Sequence, residues 1–110
     1  MVNRINIKPL SLNEGYTGKR YKTNAHRAWH NDVLLMLPKL VVPDPPFEIH
    51  LKFGFSNKAS DFDNCVKFAV DCLQIKYKFN DKLIRRAIID TDIVPVGKEY
   101  FEFELLHLQR

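Results

Sequence analysis

The chain lacks the features that would place it in a membrane or in an oxidising compartment. None of its apolar runs approaches the roughly 18 residues that a membrane-spanning helix needs, and the N-terminal sequence MVNRINIKPL has no apolar signal-peptide core. Its two cysteines, Cys65 and Cys72, would lie ~10.5 Å apart on one helix, which is too far for a disulfide. We therefore expect a cytoplasmic protein with two reduced cysteines in its core.

Acidic residues are scarce in the N-terminal third of the chain. Residues 1–30 hold six Lys or Arg against a single acid, Glu14, although the net charge of the whole chain is only +4. The segment NEGYTGKRYKT interleaves aromatic and cationic side chains, namely Tyr16, Lys19, Arg20, Tyr21 and Lys22. Cations that pair with phosphates and rings that stack on bases are what a nucleic-acid contact needs, but basic surface loops often mark no specific partner. Both interpretations stay open on this segment alone.

Hydrophobic periodicity predicts a single α+β domain over residues 1–110. The strand candidates are VNRINIK, the strictly alternating EIHLKFGF, the β-branched LIRRAIIDTDIV and the alternating YFEFELLHLQ. One helix begins at Thr23 or Asn24 and ends at Pro38, and a second follows Ser60. The order strand, helix, strand, helix, strand, strand indicates a small mixed β-sheet with flanking helices.

The stretch SDFDNCVKFAVDCLQ puts charges on one of the most apolar helices of the chain. At ~100° per residue its polar positions form one seam, which consists of Asn64, Lys67, Asp71, Gln74 and Lys78. Asp61 and Asp63 precede or cap the first turn, where carboxylates are stabilised by the helix dipole and by free backbone N–H groups. A purely structural account is therefore complete: the acids cap the helix, and Lys67 pairs with Asp63 and Asp71 at i, i+4 spacing.

A third acid allows a functional account of the same helix. Asp81, in FNDKLI, falls in the turn between this helix and the next strand. If that turn folds back toward Asp63, two or three carboxylates could hold one or two Mg²⁺ ions that activate water. Lys67 would then orient a phosphate or stabilise its charge.

The sequence SDFDNCVKFAVDCLQIKYKFNDKLI resembles the signature of the RusA-like Holliday junction resolvases. In that family an Asp-x-Asp-Asn-x-x-Lys-x-x-x-Asp helix is followed by an acidic pair before a strand. The segment KPLSLNEGYTGKRYKT is similar to the family's opening, so the resemblance spans nearly the whole chain. It implies a homodimeric RusA-like fold and a Mg²⁺-dependent endodeoxyribonuclease, with Mn²⁺ as a substitute. Such an enzyme resolves four-way DNA junctions by paired symmetric nicks in recombination and repair, in a bacterial or phage-encoded setting.

Residue by residue, the resemblance implies that Asp61, Asp63 and Asp81 are the essential metal-binding acids and that Lys67 is the catalytic lysine. DNA contacts are expected from the basic segment, because its cations and rings suit phosphates and bases, namely from Tyr16, Lys19, Arg20, Tyr21 and Lys22. Asp71 matches an acid of the family's helix whose part in the chemistry is less defined. The chain departs from the pattern at Asn80, where many relatives carry the first of two adjacent acids.

Three further expectations accompany this interpretation. The alternatives to a nuclease are a non-catalytic nucleic-acid-binding module, which needs only the basic segment, and a partner-binding domain with neither DNA nor metal affinity. His26 and His30, at i, i+4 spacing, are expected to face solvent or phosphate rather than to bind a metal. A helix after Ser60 that is apolar over most of its circumference suggests that part of it packs against a second subunit.

Overall fold

The computed structural model describes residues 2–10, 16–17, 21–22, 24–58 and 62–109 of the chain. Its elements in order are β1 (Asn3–Ile5), β2 (Tyr16–Thr17), β3 (Tyr21–Lys22), α1 (Asn24–Met36), β4 (Phe47–Phe55), α2 (Phe62–Tyr77), a 3₁₀ turn (Asp81–Leu83), β5 (Ile84–Ile93) and β6 (Tyr100–His107). The predicted small mixed α+β domain is confirmed, with two helices and a four-stranded sheet in the described part. The short hairpin β2–β3 occupies a segment that the sequence predicted only as a loop.

The main sheet has the strand order β1-β6-β4-β5. β4 and β5 are parallel, whereas β6 is antiparallel to both β4 and β1. Parallel neighbours cannot be joined by a hairpin, so the chain must cross from the end of β4 back to the start of β5. α2 makes that crossing, which places the beginning of α2 beside the end of β4 and the end of α2 beside the start of β5.

The core lies between one face of this sheet and the two helices. The alternate residues of β4 are buried, as its sequence pattern predicts: Phe47, Ile49, Leu51, Phe53 and Phe55. α2 buries Cys65, Phe68, Ala69, Cys72, Leu73 and Tyr77 against them. Both cysteines are free and buried, as expected. α1 adds Trp29, whose indole Nε1 donates a 2.8 Å hydrogen bond to the Lys8 carbonyl and so ties the N-terminal segment to the helix.

The opposite face of the sheet, here called the open face, carries charged side chains. Glu48 accepts hydrogen bonds from His50 Nε2 at 2.5 Å and from Arg86 Nη1 at 3.1 Å. These two donors, His50 first, hold the pKa of the Glu48 carboxyl below its usual value. Glu102 accepts a 2.8 Å hydrogen bond from Arg4 Nε on the neighbouring strand β1. Charged residues on adjacent strands therefore pair across the open face.

One position on the open face requires glycine. Gly54 lies directly opposite Tyr100 of β6, and the Tyr100 ring, which is 3% exposed, covers it. The Arg4 guanidinium stacks on the same ring at 3.9 Å. A Cβ atom at position 54 would overlap the Tyr100 ring. The close approach of this ring to the backbone depends on the missing side chain.

We expect Gly54→Ala to lower the free energy of unfolding by about 1–3 kcal/mol, because the added methyl group overpacks the Tyr100 ring. Urea denaturation followed by circular dichroism measures the change. In a Tyr100→Ala background the same substitution should be neutral or stabilising, because alanine restricts the unfolded chain more than glycine does. An equal cost in both backgrounds would contradict the assignment to this contact.

The phenol of Tyr77 should make the free energy of unfolding depend on pH. Its hydroxyl donates a 2.6 Å hydrogen bond to the Pro38 carbonyl, and burial raises the pKa of the Tyr77 phenol to about 12 from an ordinary value of 10.0. Because the folded pKa is the higher one, this group stabilises the fold fully below pH 10 and loses that contribution between pH 10 and about 12.

We expect Tyr77→Phe to be less stable than the parent by about 1 kcal/mol at neutral pH, since the Pro38 carbonyl loses its donor. The difference between parent and variant should shrink as the pH rises above 10, because only the parent has a phenol to ionise. Denaturant midpoints of both proteins at a series of pH values give the comparison. A difference that stays constant up to pH 12 would show that Tyr77 does not titrate in this way.

Candidate active site

α2 carries the motif residues on the side that faces away from the core. Lys67 is exposed, and Asp71 and Gln74 are half-buried, whereas the residues between them are in the core. The described positions of the predicted polar seam therefore lie together on the outer side of the helix. Most of the remaining circumference, including Val66 and Val70, packs within the same chain, on the main sheet and on α1. Ile75, which is 55% exposed, is the exception.

The N-terminal end of α2 holds the first acids of the motif. Asp63 lies in the first turn of the helix, one turn before Lys67. Asp61 and the side chain of Asp63 fall outside the described part of the structure. The backbone thus places the position of Asp63 beside the exposed Lys67, at the end of the sheet where β4 finishes.

Asp81 lies at the other end of the same helix. α2 ends where Lys78 adopts a left-handed conformation, with φ of 56°. The Asp81 backbone N–H then donates a 2.9 Å hydrogen bond to Gln74 Oε1, which ties the turn to the last part of the helix. The Asn80 side chain accepts from the Lys82 N–H at 2.9 Å and caps the 3₁₀ turn. Asn80, the position at which many relatives carry an acid, therefore has a structural role in this chain.

One copy of the chain does not bring Asp63 and Asp81 together. From Asp63 to Gln74, to which Asp81 is bonded, α2 extends by about 16 Å at about 1.5 Å per residue. The turn stays bonded to the last part of the helix through Gln74 and leads directly into β5. This separation follows from the parallel crossover, because the helix starts at one end of the sheet and finishes at the other.

The basic segment lies in and around the hairpin that precedes α1. Tyr16 pairs with Lys22, and Thr17 pairs with Tyr21, in an antiparallel register. Lys19 and Arg20 lie outside the described residues, as do the side chains of the two tyrosines and of Lys22. The two short strands end immediately before the first turn of α1.

The two histidines of α1 differ from the sequence expectation. His26 is only 2% exposed and packs against the Phe68 ring at a centroid distance of 4.7 Å, so the prediction that it faces solvent or phosphate was wrong. It occupies the inner face of α1 with Trp29 and Val33, which follow it at the i+3 and i+7 spacing of a buried helical stripe. This spacing was the feature of the sequence from which the burial of His26 could have been predicted.

His30 lies close to a core cysteine. His30 Nδ1 is 3.5 Å from Cys72 Sγ on α2. A cavity of about 250 Å³ adjoins both histidines, between Arg27 and the exposed Ile75. Within the described ranges no three His, Cys, Asp or Glu side chains are grouped so that they could hold a metal ion.

Comparison with known proteins identifies no family for this chain, so a functional proposal has to be based on the motif of α2. No protein-family model matches the chain, and no curated protein matches it significantly. Neither α1 nor α2 is both long and apolar enough to cross a bilayer.

Proposed function

We propose that this chain is a Mg²⁺-dependent endodeoxyribonuclease of the RusA-like type, which cuts four-way DNA junctions as a homodimer. The observation that carries the proposal is the position of the motif on α2. The helix buries its apolar residues in the core and presents Lys67 to solvent one turn after Asp63. Besides its i, i+4 neighbours Asp63 and Asp71, Lys67 could therefore reach a phosphate at the N-terminal end of α2.

The chemistry of the side chains fits this role. Asp61 and Asp63 would bind Mg²⁺ through carboxylate oxygens, the ligands that this ion prefers. The bound ion would activate a water molecule and neutralise charge on the scissile phosphate. Lys67, on the same side of the helix, would contact a non-bridging phosphate oxygen and stabilise the negative charge that builds up during cleavage. Asp71, one turn beyond Lys67, would help to orient the lysine ammonium group.

DNA affinity would come from the N-terminal third of the chain. Its excess of cations would supply phosphate contacts, and the paired strands β2 and β3 flank Lys19 and Arg20 in the sequence, just before α1. A junction presents phosphates on several arms, so a basic segment outside the catalytic helix would position the DNA across the acidic end of α2.

A non-catalytic nucleic-acid-binding module is the second candidate. The observations that favour it are the distance between Asp63 and Asp81 within one copy and the capping role of Asn80. Such a module would bind DNA through the basic segment and would use the acids of α2 only as caps.

We expect Asp63→Asn to reduce metal-dependent cleavage of a synthetic four-way junction by about 100-fold or more, since the change keeps a capping oxygen but removes the charge that holds Mg²⁺. Junction binding without divalent metal should persist or tighten, because one anion fewer faces the phosphates. Lys67→Ala should also reduce cleavage, but it should weaken binding.

Asp32→Asn is the matched control, since it removes the same charge from an exposed position on α1. It should cleave at the parental rate. Cleavage by Asp63→Asn near the parental rate would leave Asp63 as a helix cap and would favour the binding module instead.

We expect Lys19→Ala/Arg20→Ala to weaken junction binding and to reduce the slope of log affinity against log salt concentration by about 1.8, since each phosphate contact contributes about 0.9 to that slope. Binding titrations at several salt concentrations measure it. Lys39→Ala/Lys98→Ala removes two exposed cations elsewhere and should leave the slope nearly unchanged. Equal slopes for both double variants would place the DNA surface outside the basic segment.

A further inference from the structure

β5 is a long strand with an exposed outer edge. Among the described residues β4 is its only strand partner, and β5 is the last strand of the sheet. Eight of its ten residues are exposed, including Ile88 at 42% and Ile93 at 51%. The other edge strand, β1, has only three residues. Within the described ranges no strand therefore pairs with the outer side of β5, where the Ile93 N–H donates to Asp92 Oδ1 at 2.9 Å.

The devices that protect natural edge strands are only partly present in β5. Natural edge strands avoid pairing through short length, proline, charged side chains (lysine above all) or a bulge. β5 has ten residues, IRRAIIDTDI, with neither lysine nor proline, but four of them are charged and a shift in the register with β4 skips Arg85 near the start of the strand. From Arg86 to Ile93 the register with β4 is regular. An edge of this kind suits the addition of a strand from another chain.

The charges of β5 are complementary to those of a second, antiparallel copy of β5. Residues 86–90 read Arg-Ala-Ile-Ile-Asp. With a two-fold axis at Ile88, Arg86 of each copy lies directly opposite Asp90 of the other, at a Cβ separation of about 5 Å. Sliding the register by two residues would instead place Ile88 opposite a charged residue. The pattern therefore selects one register.

This register also completes a row of charges across the open face. In one copy, hydrogen-bonded strands place Arg4, Glu102, Lys52 and Asp90 side by side, with alternating sign. The row stops at Asp90 on the exposed edge. In the paired arrangement it continues to Arg86 of the second copy, which already binds that copy's own Glu48 at 3.1 Å.

We propose that β5 is a homodimer interface, in which two β5 edges pair antiparallel about a two-fold axis at Ile88. The two four-stranded sheets become one sheet of eight strands, and both pairs of helices lie on the same side of it. The occupant is a second copy because the charge pattern of β5 is complementary to itself.

The same axis would bring the two ends of the motif together, a step that rests on the proposed nuclease function. Antiparallel pairing places the start of one β5 beside the end of the other. The 3₁₀ turn with Asp81 of one copy then lies at the end of the sheet where α2 of the other copy begins, near its Asp63. Each acidic site would contain Asp63 of one copy and Asp81 of the other.

Charge reversal tests the interface without reference to activity. Light scattering across a concentration series should show the parent as a dimer. Arg86→Asp and Asp90→Arg should each raise the dimer dissociation constant at least about tenfold, because each places like charges opposite one another at two symmetric contacts. An equimolar mixture of the two variants should form a heterodimer, and the double variant should form a homodimer, because opposite charges face each other again in both cases. Lys98→Asp, an exposed lysine outside β5, should remain a dimer.

Because Arg86→Asp also places an acid beside Glu48, circular dichroism should verify that it is folded. Ile88→Arg provides a second variant that leaves the Arg86–Glu48 pair intact and puts two cations at the axis. A parent that stays monomeric as its concentration rises, or a dimer that resists Asp90→Arg and Ile88→Arg, would overturn the interface.

Mixing Asp63→Asn with Asp81→Asn tests the shared site. Each variant alone should be inactive on a four-way junction, and the mixture should recover nicking of up to about a quarter of the parental level, since half of the dimers are mixed and each has one complete site. A mixture that forms dimers but stays inactive would overturn the shared site and leave the interface standing. A parent that dimerises but does not cut DNA would instead reject the nuclease proposal.

Discussion

The parallel pairing of β4 with β5 is the constraint on which the rest of the structure depends. Parallel neighbours need a crossover, and α2 supplies it across the whole length of the sheet. One side of α2 must then fill the core, which leaves a narrow outer side for Lys67 and Asp71. The crossover also fixes the two ends of the motif at opposite ends of the sheet. The arrangement of the candidate site is thus a consequence of topology.

The two faces of the main sheet are stabilised by different interactions. On the covered face, alternation along β4 places five large apolar side chains against the helices, and burial of their apolar surface stabilises the fold. On the open face, single exposed ion pairs such as Arg4–Glu102 contribute little each. Under the proposed pairing their regular spacing would matter more than their strength, because a row of alternating charges would favour one register of a second β5 at the edge.

The sequence predicted those features that depend on local periodicity. Strict alternation identified β4 and β6, and the apolar spacing identified α2 with its polar seam and both buried cysteines. It could not predict where Asp81 lies, because the direction of the turn after α2 depends on strand pairing between distant residues. The prediction that His26 faces solvent or phosphate was wrong because a titratable ring does not determine burial. Its spacing to Trp29 and Val33, which are also buried, does indicate burial. The position of β5 at the edge likewise depends on strand order, which periodicity does not encode.

The same separation of Asp63 from Asp81 bears differently on the two candidate functions. It favours a binding module within one copy, because each acid then only caps or flanks its own turn. For a nuclease that makes two symmetric cuts, the separation would make each site depend on both copies. A site divided between two copies is incomplete in a monomer. Under the proposed pairing of β5, the acids would meet only in the dimer, which also holds both sites in the symmetry of a four-way junction. A copy without its partner would then bind DNA without cutting it, so assembly itself would restrict cleavage to paired sites.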